Sequence, residues 1–131
     1  MSYSLRRQPT AAQYEAALVA AGSELSAEDI GLLRAQAADG AGWTAADIGA
    51  HYGSDSYRTG NLRYGRLGRI LEKHLGGDVA PVSETKGRSH FWAVLATGQT
   101  NVDGLWEWTM RDELRSAVKR LFIPPEASAI D

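Results

Sequence analysis

The chain is 131 residues long, 44% hydrophobic and 23% charged, with a formal net charge of −2, which fits one globular domain with a substantial core. It contains no cysteine, and that excludes disulfides, thiolate zinc sites and cysteine-bound iron–sulfur clusters. No apolar run approaches the length of a membrane span, and the opening MSYSLRRQPT lacks a signal-peptide segment, so the expectation is a soluble, cytoplasmic protein with no membrane partner.

Residues 1–8, with Arg6 and Arg7, read as a loose N-terminal arm. Thr10 and Gln13 form a capping-box pair that opens a helix through Tyr14, Ala17, Leu18 and Ala21 toward Gly22. Ser26 and Asp29 open a second helix, with Leu25 placed to staple Ile30, and it carries Leu32, Leu33 and Ala37 before Gly40. Thr44 and Asp47, flanked by Trp43 and Ile48 at the staple positions, start a third that runs to His51 and ends at Gly53.

A turn is predicted from Ser54 to Gly60, followed by a helix from Gly60 to Leu75. At about 100° per residue, Tyr64, Leu67, Ile70, Leu71 and Leu75 gather on one side. Arg66, Arg69 and Lys73 stack opposite them, and Arg58, Asn61 and Arg63 lie at the N-terminal end. Between positions 58 and 74 five Lys/Arg residues stand against one acid, Glu72, for a local charge of +4 on a chain whose remainder sums to −6. Such a face can track phosphates without making the whole protein sticky for nucleic acid. The solvated side of an ordinary amphipathic helix has the same pattern; the neighbouring helix, turn and hairpin favour the phosphate reading. Gly65 and Gly68 within this helix each cost about 1 kcal/mol relative to alanine, which predicts a close approach by another backbone, with core packing the favoured reason.

Gly76 to Ser89 is expected to be a loop, and it contributes Lys86 and Arg88 to the candidate basic surface. His90–Ala96 and Leu105–Thr109 have strand composition and should pair as a hairpin, with Trp106 and Trp108 on one face able to meet Trp92 or Val94. Trp43 is placed to supply a very short third strand. Thr109 with Asp112 is expected to cap a last helix, buried through Met110, Leu114, Ala117, Val118 and Leu121 and stopped by Pro124 and Pro125. Its other side displays Arg111, Arg115 and Lys119, read as a solvated face paired with Asp112 or Glu113. Residues 122–131 are expected to form a tail.

Over residues 10–121 this order of elements resembles the winged helix-turn-helix superfamily. The likeness is carried by WTAADIGAHYG as supporting helix, NLRYGRLGRILEKHL as recognition helix, and the hairpin HFWAVLA to LWEWT. It implies a single domain that is mainly α with a small β-hairpin (α+β). It further implies a transcriptional regulator or DNA-recognition module on double-stranded DNA, with the 61–73 helix in a major groove and the hairpin as wing. The implied nucleic-acid-binding residues are Arg58, Asn61, Arg63, Tyr64, Arg66, Arg69, Lys73, Lys86 and Arg88. The chain departs from the pattern in its long predicted turn and in a wing tip, Gly98–Gly104, that has no lysine or arginine.

No catalytic role, metal or cofactor is expected, because His51, His74 and His90 share no ligand spacing and no Walker or nucleophile-elbow pattern occurs. GRLGR, at 65–69, sits within a helical repeat and not in a phosphate loop. The competing reading is a small adaptor or inhibitor that does not touch DNA and docks on a protein through the hairpin and the aromatics Tyr57, Tyr64, Trp92, Trp106 and Trp108. A homodimer through the Arg111–Leu121 helix is a further alternative that the sequence leaves open.

Overall fold

The computed structural model describes residues 3–82 and 89–123. Three helices begin at the three capping boxes: α1 (Ala11–Ala20) at Thr10, α2 (Ala27–Asp39) at Ser26, and α3 (Ala45–His51) at Thr44. In each, the cap hydroxyl accepts from the N3 amide while the N3 side chain accepts from the cap amide, so orphan donors at both positions are satisfied. Gly40 and Gly53, at φ of +71° and +79°, turn the chain after α2 and α3.

The fourth helix, α4 (Tyr57–His74), starts earlier than the sequence reading placed it, at a Ser56 cap whose Oγ accepts from Arg58 N at 3.2 Å. The connection from α3 is therefore residues 52–56, tied by Ser54 Oγ, which accepts from Ser56 N and donates to Thr59 Oγ1. Gly60 belongs to the helix and not to the turn. A Cβ there would collide with the Ala45 carbonyl, and one on Gly49 would press on the Ser56 carbonyl at 2.5 Å, so these glycines let α3 and α4 cross closely.

Phe91–Val94, expected to be a strand, is a 3-10 turn packed against α4 where Gly68 has no side chain; a Cβ on Gly68 would strike the Phe91 carbonyl. The hairpin is β2 (Ala96–Thr100) and β3 (Trp106–Met110). The expected short third strand is present as β1 (Trp43–Thr44), and the antiparallel sheet has the order β1-β3-β2, with Trp43 opposite Trp108 and Gly98 opposite Trp108 on the other side. Trp106 and Trp108 do meet Trp92, at centroid distances of 5.8 and 6.3 Å, but from the 3-10 turn and not across the ladder. The described chain is thus α+β, mainly helical with one small sheet.

The last helix, α5 (Asp112–Phe122), starts after Arg111 with no side-chain cap; Thr109 is retained in β3 by its pairing with Thr97. The basic side of α5 is not simply solvated. Arg111 Nε donates to the Ala93 carbonyl and Arg115 Nε to the Ala37 carbonyl, both at 2.7 Å, so two of its three cations fasten α5 to the rest of the fold.

The N-terminal segment is also fastened. Arg6 N donates to Val79 O, Arg6 Nε to Ala80 O, and Arg7 Nη2 to Leu75 O at 2.6 Å, which satisfies a carbonyl at the end of α4. This corrects the loose arm; only Met1 and Ser2 lie outside the described residues there. Tyr14, Leu18, Leu32, Leu33, Ile48, Tyr64, Leu67, Leu71, Leu95 and Leu114 fill the core between the helices and the sheet. No helix among the described residues is long and apolar enough to cross a membrane.

Candidate nucleic-acid interface

The α4 helix has one buried side and one bare side. Tyr64, Leu67, Gly68, Ile70 and Leu71 are buried, whereas Arg58, Asn61, Leu62, Arg63, Arg66, Arg69 and Lys73 are exposed. Because the buried side is held by α3 and the 3-10 turn, the cationic residues are carried on a rigid support and not on a loop.

Glu72, the one acid counted among the cations of 58–74, does not interrupt the exposed basic stripe. It is buried at 6% exposure, its Oε1 accepts from Val79 N and Ala80 N, and Arg6 lies 3.7 Å from its Oε2. The acid is used to fold the chain back after α4, which leaves the exposed side without an anion of its own.

The cations divide into two kinds. Arg66 Nη1 lies 3.5 Å from Asp29 Oδ2, and Lys73 Nζ lies 2.5 Å from Glu24 Oε1, whose carboxyl is also met by His74. The hydrogen bonds from Lys73 and His74 hold the Glu24 carboxyl below its ordinary range. Arg58, Arg63 and Arg69 form no ion pair among the described residues. Arg63 is steadied instead over the Tyr52 ring, its guanidinium carbon 4.9 Å from the centroid.

Asp29 links these parts. It is buried at 1% exposure, caps α2, and accepts from the Tyr52 hydroxyl at 2.6 Å. Burial raises its pKa, but the hydrogen bonds from Tyr52 and Ser26 and the charge of Arg66 outweigh that and leave it below the ordinary value. One carboxylate therefore anchors the ring beneath Arg63 and draws Arg66 inward.

Arg58 and Arg69 are eleven residues apart, about 16 Å of helix rise, and a groove along α4 from Asn61 to Arg69 is lined on its other side by Ser89 and Phe91. Leu62 and Gly65 form its floor on α4. Leu62 is 74% exposed, and a Cβ on Gly65 would meet nothing within 4 Å among the described residues. Packing thus explains Gly68 but not Gly65. The sequence reading passed over Leu62; its place between Arg58 and Arg66 at i−4 and i+4 was the available signal.

Of the residues expected in the interface, Arg58, Asn61, Arg63, Arg66, Arg69 and Lys73 share the exposed side of α4. Tyr64 does not belong with them. It is fully buried, its ring stacks on Trp108 at 4.6 Å, and its hydroxyl is spent on Gln36, because its position on the wheel is the core side. Lys86 and Arg88 lie outside the described residues.

The hairpin tip has a different chemistry. Asn101 Oδ1 accepts from Asp103 N and Leu105 N and organises the turn, while Val102, Leu105 and Trp106 are exposed. Asp103 and Glu107 are the ionisable groups there, so the tip offers no cation to a phosphate. Of the expected exposed aromatics, Tyr57 and Trp106 are exposed, Trp92 is half-buried, and Tyr64 and Trp108 are core.

Comparison with protein-family models, curated proteins and solved structures found no match to this chain. Its functional reading therefore rests on the geometry of α4 and its surroundings.

Proposed function

We propose that this protein binds double-stranded DNA as a winged helix-turn-helix-like recognition module, acting as a transcriptional regulator, with the exposed side of α4 in the major groove. The observation that carries this reading is the set Arg58, Arg63 and Arg69, exposed on one rigid helix and free of ion pairs among the described residues. A span of about 16 Å between Arg58 and Arg69 suits the two phosphate walls of a groove about 12 Å wide. Support for the winged-helix likeness comes from the close α3–α4 crossing at Gly49 and Gly60, the short 52–56 connection and the sheet order β1-β3-β2. The acidic character of the tip leaves the helix, and not the wing, as the main contact. We assign no catalytic step to the protein, and the cysteine-free chain suits a reducing cytoplasm.

The test is an Arg58→Glu/Arg69→Glu double variant titrated against a labelled random-sequence duplex. Both positions are exposed, so the fold should persist by circular dichroism. Affinity should fall on every sequence, and the slope of log K against log salt should flatten by about 2. Unchanged affinity and slope would overturn the assignment.

A second reading is favoured by the apolar hairpin tip, where Val102 is wholly exposed beside Leu105 and Trp106. In it the module is an adaptor that captures a protein partner through the hairpin. Val102→Asp with Leu105→Asp would abolish such capture and leave duplex binding intact.

A further inference from the structure

Two residues on the cationic side of α4 have no packing role among the described residues. Leu62 is the most exposed large apolar side chain on any described helix, at 74%. Gly65, three positions on, weakens the helix by about 1 kcal/mol relative to alanine, yet a Cβ there would meet nothing within 4 Å among the described residues. A lone exposed leucine is ordinary on a protein surface. A leucine next to a bared stretch of helix backbone, with Arg58, Arg66 and Arg69 around the pair, is a surface shaped for something that approaches from outside and carries negative charge.

We propose that Leu62 reads the 5-methyl group of thymine in the major groove, with Gly65 allowing the helix to seat closely enough for that contact. The inference rests on the reading of α4 as a duplex-DNA surface. The thymine methyl is the apolar group presented by base edges in that groove, and a leucine has no hydrogen bond to offer the others. Asn61, the exposed neighbour, has the amide geometry that matches adenine N6 and N7. Together they fit adjacent A·T pairs, with the arginines on the flanking phosphates. The division of labour is then plain: the cations set affinity and register, and Leu62 with Asn61 sets sequence preference.

The experiment is to select preferred duplexes from a random pool with the wild-type protein, then replace each thymine by uracil, which removes only the methyl. Kd is compared for wild type, Leu62→Ala and Gly65→Ala, each checked for folding by thermal melting. At one or two positions uracil should weaken wild-type binding about fourfold per methyl. Leu62→Ala should lose a similar factor on the thymine duplex and be indifferent to the replacement. Gly65→Ala should bind more weakly although its fold is more stable. Salt-sensitive binding with no preferred sequence, with no uracil effect, or with an undiminished uracil effect in Leu62→Ala would overturn the role of Leu62 and leave the phosphate-binding reading standing. No duplex binding even at low salt would overturn both.

Discussion

The Tyr64 hydroxyl donates to Gln36 Oε1 at 2.8 Å in a part of the core where both residues are fully buried. Gln36 Nε2 in turn donates to the Trp108 carbonyl at 3.3 Å, and the Trp108 ring stacks on Tyr64. This relay ties α4 to α2 and β3 at one point, on the side of the helix that faces the core. Burial pushes the Tyr64 phenol well above its ordinary pKa.

Tyr64→Phe should accordingly destabilise the fold by about 1–3 kcal/mol, since Gln36 Oε1 would be left buried without its donor. The check is urea unfolding with m held constant. Duplex binding by the folded fraction should be unchanged, because Tyr64 does not reach the exposed side.

The glycines of α4 should respond in opposite directions. Gly65→Ala meets no neighbour within 4 Å among the described residues and should stabilise the protein by about 0.5–1 kcal/mol. Gly60→Ala and Gly68→Ala would drive a Cβ into the Ala45 and Phe91 carbonyls and should lower Tm sharply. Thermal melting of the three variants separates the cases, and a destabilised Gly65→Ala would contradict the open surface described above.

The second cationic stripe should prove structural. Arg111→Ala and Arg115→Ala remove donors to the Ala93 and Ala37 carbonyls and should each cost about 1–3 kcal/mol. The salt slope of duplex binding should stay as in wild type. A slope flattened by about 1 in either variant would place α5 at the nucleic-acid surface.

Much of this was legible in the sequence where the cause is local. The three capping boxes at Thr10, Ser26 and Thr44 fixed three helix starts because both partners of each box lie within four residues. Errors arose where a distant partner decides. Gly60 read as the end of a turn because its reason, the Ala45 carbonyl, is supplied by another helix. Thr109 and Asp112 have the spacing of a cap, but pairing with Thr97 keeps Thr109 extended. Phe91–Val94 has strand composition and is instead coiled against Gly68. Within the site, the charge of the stripe was visible, whereas the inward turn of Glu72 and the pairing of Arg66 and Lys73 depend on residues 79–80, 29 and 24.

Acid should loosen the support of the basic face. Asp29 has a folded-state pKa below its ordinary value of 3.8, so its contribution is fully present above that value and is lost as pH falls through the lower, folded-state pKa. Chemical denaturation from pH 6 down to pH 2 should show stability falling over this window. Asp29→Asn should be less stable at pH 6 and show a shallower fall, with the remaining slope owed to groups such as Glu24 and Asp78, whose pKa values are also lowered. An identical pH profile in the variant would remove Asp29 from the account.

The central claim is that α4 presents a phosphate-contacting surface, and the most direct test is fluorescence anisotropy of the wild-type protein with a labelled random-sequence duplex across a salt series. With Arg58, Arg63 and Arg69 engaged and Arg66 or Lys73 partly so, binding at low salt should weaken with a log–log slope of about −3 to −4. Absence of binding at the lowest salt, or affinity indifferent to salt, would contradict the claim and leave the apolar hairpin tip as the surface to pursue.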